Sequence, residues 1–155
     1  MKKPRCKKHH PRPVVGNPLD HLLGGLTRIG GEHLTKLNTK NHAAMHCIVH
    51  GHGTRDLWDR LVGAINMALV MCELGTGHEY RPDLIAGRDA LATLCTRYRR
   101  TGTWVFTGGE MQAVNLALEV HDAQLEISRV IDVERAADEV VRRIRCNLNT
   151  QRVVA

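Results

Sequence analysis

His42, His46 and His50 recur every four residues. On a helix that spacing lines all three imidazoles along one face. Two histidines four residues apart can share one metal ion. Cys47 is adjacent, and His33 and His52 are near in sequence. Zinc wants a third or fourth ligand. The tract His42-Ala43-Ala44-Met45-His46 lacks the glutamate that an H-E-x-x-H site uses as its general base. The functional reading is a Zn or Ni site. The plainer readings are a polar, solvent-facing stripe, or a face that meets phosphate when protonated.

Other pairs carry less. Cys6 with His9 and His10 gives C-x-x-H-H, but no second ligand pair follows at finger spacing. His121-Asp122 and His46-Cys47 are sequence neighbours, which on a helix point about 100° apart and so do not face each other. His121 falls on an apolar stripe and reads as a hydrogen-bonded core histidine. Cys72 and Cys95 read as small, inert core residues. Gly75-Thr76-Gly77 lacks the lysine and spacing of a phosphate loop, and no G-x-G-x-x-G is present. No catalytic residue is assigned, no cofactor is expected, and the chain reads as non-enzymatic.

The charge distribution says more. The formal net charge is +6, and Lys2, Lys3, Arg5, Lys7, Lys8 and Arg12 supply all of it. The rest of the chain carries 16 basic and 16 acidic residues. Three prolines are interleaved with the six cations, which disfavours a helix. Residues 1–16 read as a flexible basic arm, 17–148 as a single helical domain, and 149–155 as a short tail. Such an arm contacts phosphate or another acidic surface, or it solubilises.

The elements that position these groups read as helices. The chain has 155 residues, enough for one domain that buries roughly 68–70% of its unfolded surface. Only five residues are aromatic, so aliphatic side chains must build the core. Glycines at 24–25, 30–31, 51, 53, 75, 77, 102 and 108–109 punctuate periodic segments and act as helix stops. The segments are Pro18–Ile29, Glu32–His50, a central helix near 56–74 capped by Thr54, and Pro82–Arg100. The step Asn38-Thr39 is a candidate break in the second. Asn66 and Asn115, in apolar stretches, read as hydrogen-bonding between helices and fixing register. Thr103–Phe106 reads as an extended connector whose Trp104 and Phe106 plug the core. Thr107 to Glu110 spells a capping box. A long C-terminal helical element then runs to Cys146, with an offset near 126–129 that means a bend or two abutting helices. Its length suggests a homodimer seam. Arg97, Arg99 and Arg100 with Arg142, Arg143 and Arg145 form either a second basic patch or a salt-bridged face, with Asp138–Arg142 and Glu139–Arg143 as the expected pairs. The fold class is all-α: a compact bundle of five or six helices around a buried central helix, with the basic arm in front.

Val105–Glu126 (VFTGGEMQAVNLALEVHDAQLE), Leu37–Met45 (LNTKNHAAM) and Ile65–Gly75 (INMALVMCELG) carry a resemblance. They resemble small uncharacterised all-helical proteins encoded by proteobacterial phages, prophages and mobile elements. The resemblance implies a bacterial cytoplasmic setting and an accessory role, and it carries over no site residues. The absence of an apolar run after the N-terminal lysines also predicts no secretory signal, and no stretch is apolar enough for a bilayer. The expected function is non-enzymatic binding of nucleic acid or a host nucleoprotein complex. The alternatives are an inhibitor of a host defence or regulatory protein, and a His-rich metal-binding protein.

Overall fold

The fold is known from a computed structural model that describes residues 25–146. Five α-helices lie within that range: α1 Gly31–Val49, α2 Arg55–Glu73, α3 Arg81–Thr101, α4 Gly108–Ile127 and α5 Val130–Arg145. A short 3₁₀ turn, His78–Tyr80, leads into α3. Among the described residues there is no strand, only an isolated bridge between Arg28 and Arg129. The all-α expectation is met. The arm over 1–16, the tail over 149–155 and most of the Pro18–Ile29 segment lie outside the described residues.

α2 is the centre. Thr54 sits in extended backbone and its Oγ1 accepts Leu57 N at 3.3 Å, which satisfies one of the free amides at the helix start. Leu61, Ile65 and Ala68 on one face are fully buried, and Val70 and Met71 on another are buried as well. A helix apolar on most of its circumference needs neighbours on every side. Accordingly α2 touches α1, α3, α4 and α5. Cys72 and Cys95 are packed inside, as expected. Burial pushes the Cys72 thiol up, so it stays protonated, and it donates to Gly77 O at 3.0 Å.

The aromatics concentrate at one end. Trp104, on the connector after α3, is buried between Trp58 and Tyr98, with ring centroids 5.8 and 4.0 Å away. Phe106 packs partly buried against the same cluster. The extended connector therefore does plug the core.

Where the structure departs from the sequence reading, the reasons are local. Asn38-Thr39 does not break α1, because the Asn38 amide is used by Leu34 O (3.3 Å) and Asp122 Oδ1 (3.2 Å) in the orientation that satisfies both. The described end of the Pro18–Ile29 segment is not helical past Gly25. Leu26 is exposed, and Thr27 O accepts Val130 N at 2.9 Å. That contact helps split the C-terminal stretch into two helices. Ser128 and Arg129 both take extended backbone, and Ser128 Oγ donates to Gln124 O at 2.6 Å. The length that suggested a dimer seam thus belongs to helices of 20 and 16 residues.

The polar register keys are also different. Neither Asn66 nor Asn115 makes an interhelical side-chain hydrogen bond among the described residues. Gln124 does: its Nε2 donates to Thr76 O (2.8 Å) and Ala68 O (3.2 Å), tying α4 to α2 and to the turn after it.

α3 and α4 cross closely at Gly87. A Cβ there would sit 2.5 Å from Ala117 Cβ and 3.1 Å from Ala113 O. Valine gains a few tenths of a kcal/mol in helix propensity over glycine, but forcing side-chain atoms into a packed crossing costs about 1–3 kcal/mol. Overpacking wins. Gly87→Val is expected to lower the urea midpoint by an amount equal to about 2 kcal/mol. An unchanged midpoint would show that the crossing can open without penalty.

Candidate functional site

The histidine stripe lies on the outer face of α1, and the structure separates its members by partner. His42 Nε2 is 2.7 Å from Asp122 Oδ2 on α4. Asn38 meets the other oxygen of the same carboxylate. Asp122 is thus held by two side chains one helical turn apart, and the three groups pin α1 to α4. His46 and His50 stack on each other with ring centroids 3.9 Å apart, and His50 Nδ1 lies 2.8 Å from His46 O. His50 therefore closes the C-terminal turn of α1. Among the described residues no three His, Cys, Asp or Glu side chains stand together in a way that could hold a metal ion.

Sequence reasoning saw that His121 and Asp122 cannot face each other. It missed that Asp122 faces His42 from the next helix. The signal was faint: the five residues from Leu118 to Asp122 on α4 carry the chain from a core face to its border.

His121 is buried at 2% exposure, as its stripe predicted, but its Nδ1 has no hydrogen-bond partner. Burial holds its pKa down at about 4, against a smaller opposing pull from Asp122. At neutral pH the imidazole is uncharged. It lines an open groove of ≈ 470 Å³ between α1, α2 and α4.

Arg97, Arg129, Arg142 and Arg143, near helix ends, are engaged with acids. Arg97 forks onto Glu110, with Nη1 also donating to Val105 O at 2.6 Å. Glu110 completes the capping box with Thr107. It has two uses, and the Arg97 guanidinium holds its carboxyl below the ordinary range. On α5, Glu139 takes both Arg142 (2.7 Å) and Arg143 (2.6 Å), which hold its carboxyl down at about 2. Arg143 also reaches Glu73 on α2. The Glu139–Arg143 pair was expected. Arg142 pairs with Glu139, three residues back, in place of Asp138. Arg129 pairs with Asp132, Arg55 with Asp59, Arg88 with Asp89 and Lys36 with Glu32. Of the six candidate patch arginines, Arg97, Arg142 and Arg143 are salt-bridged, while Arg99, Arg100 and Arg145 are exposed and make no ion pair among the described residues.

Comparison with protein families, curated proteins and solved structures finds no match for this chain. Its functional reading rests on its own residues.

The six arm cations, Lys2, Lys3, Arg5, Lys7, Lys8 and Arg12, lie outside the described residues, as do Cys6, His9 and His10. No helix among the described residues is long and apolar enough to cross a membrane.

Proposed function

We propose that the chain is a non-enzymatic accessory binding protein of the phage or mobile-element type, acting in the bacterial cytoplasm. It engages nucleic acid, or a host nucleoprotein complex, through Lys2, Lys3, Arg5, Lys7, Lys8 and Arg12. One observation carries this reading: the positive charge is partitioned. The remainder of the chain balances 16 basic against 16 acidic residues. Within the described body, both ends of α5 and the end of α3 spend arginines on internal ion pairs. The cations in excess are the six of the arm. Lysines and arginines on such a segment neutralise phosphates and position the protein without reading sequence. Selectivity then belongs to the helical body.

A protein target is the second reading, and Val141 and Ile144 favour it. Both are apolar and exposed on α5, at 44% and 46%. An inhibitor of a host defence or regulatory protein would bury such side chains.

An affinity capture from host lysate separates the two. The full chain and a version lacking residues 1–13 are compared with and without nuclease. Nucleic acid recovered only by the full chain, and lost with nuclease, is the expected result. One protein retained by both versions after nuclease would transfer the function to the helical body.

A further inference from the structure

We propose that the groove between α1, α2 and α4 binds a small, largely apolar, uncharged molecule with one hydrogen-bonding head group, of the class of simple phenols. Its volume of ≈ 470 Å³ is within the range of about 300–1,000 Å³ usual for small-molecule sites. Leu37, Met67 and Leu125 give it apolar walls. Two buried polar side chains share that lining, Asn41 at 3% exposure and His121 at 2%. His121 Nδ1 is buried and unpartnered, and the buried Asn41 side chain shares the groove wall with it. Native proteins seldom leave buried polar groups unmatched, because an unmatched group has given up its water partner for nothing. A hydroxyl can donate to one such group and accept from another, while an aromatic ring covers the aliphatic walls.

The charge state selects the ligand class. His121 is uncharged at neutral pH, since burial holds its pKa at about 4. Asp56 and Arg60, both exposed, also line the groove and carry opposite signs. No net charge favours an ionic head group. This site is independent of the basic arm, so its success or failure leaves the proposed nucleic-acid contact untouched.

Gly63 supplies a clean test. It lies in the groove lining, and a Cβ built there meets no atom within 4 Å. Leucine at 63 would intrude into the groove while improving helix propensity, so the variant should fold. The experiment is a two-dimensional NMR titration of the full-length, ¹⁵N-labelled chain with p-cresol and, separately, toluene. The expected result is saturable shifts at Leu37, Gly63 and Leu125, with p-cresol binding at least about tenfold tighter than toluene, as one good hydrogen bond allows. Gly63→Leu should abolish both titrations. His121→Phe should reduce the preference for p-cresol and keep toluene binding. Three outcomes would overturn the proposal: no saturable shift in the full chain, equal affinity for the two probes, or undiminished binding by Gly63→Leu.

Discussion

Trp58→Ala is expected to remove about 3–5 kcal/mol of stability, the cost of emptying a fully buried large aromatic site. Trp58 is 1% exposed, and its indole N–H donates to Leu91 O at 3.0 Å across the α2–α3 interface. Its ring also supports the stack that holds Trp104 and, through it, the connector into α4. The chain has only five aromatic residues, and Trp58, Tyr98, Trp104 and Phe106 are four of them. Nothing nearby replaces that volume. A domain of ordinary stability holds about 5–15 kcal/mol in total, so this one truncation takes a large share of it. Thermal unfolding should fall by roughly 6–20 °C. A shift smaller than about 1 kcal/mol would mean that α2 and α3 close over the void.

The second large effect is acid sensitivity centred on His121. Its folded pKa of about 4 is below the unfolded value of about 6.5. The unfolded chain therefore takes up the proton first as pH falls. Stability is complete above pH 6.5, declines between 6.5 and 4, and levels off below that window as far as this group is concerned. The loss over the window is about 3 kcal/mol. Asp122 is the charged neighbour that opposes the shift, and Asp56 and Arg60 line the same groove. Paired carboxylates such as Glu110 and Glu139 are held below the ordinary range, so their losses begin at lower pH. Urea unfolding at pH 7 and at pH 4.5 should differ by about 2–3 kcal/mol in the natural chain. His121→Phe keeps a ring in place and removes the titration. It should flatten that difference while staying within about 1 kcal/mol of the natural chain at pH 7, since it also removes an unmatched nitrogen. A natural chain whose stability is level between pH 6.5 and 4.5 would contradict the account of this residue.

Much of the fold was legible in the sequence, because its signals are local. Thr54 and Thr107 sit where caps were read, and both side chains accept the expected backbone amide. Gly102, at φ +73°, stops α3 where glycine alone is comfortable, and its N–H returns to Tyr98 O at 2.7 Å. The nearly all-round apolar surface of α2 announced a central helix. The features that were not legible depend on partners far away in the chain. The break at Ser128-Arg129 showed only as an offset in the stripe, because the strand-like contact that braces it comes from Thr27 and Arg28. Gln124 carried no local mark of its role, since its three acceptors, Ala68, Cys72 and Thr76, are about fifty residues earlier.

The histidines divide in the same way. Their four-residue spacing placed them correctly on one helix face. Spacing alone did not reveal that His42 is spent on Asp122, or that His46 and His50 stack. The groove lined by His121 was invisible, because it is made by three helices and by Gly63, a residue whose importance is the space it leaves.

The most direct test of the central claim is the salt dependence of nucleic-acid binding. Fluorescence anisotropy of a labelled DNA duplex is measured between 50 and 200 mM KCl (about the range over which such contacts are lost), with the full chain and with one lacking residues 1–13. If the arm's six cations each neutralise a phosphate, log K against log salt should fall with a slope of about −5. Removing residues 1–13 should abolish most of the affinity and bring the slope close to zero. A slope and affinity that survive the truncation would contradict the account, because the neutral helical body would then be the part that binds.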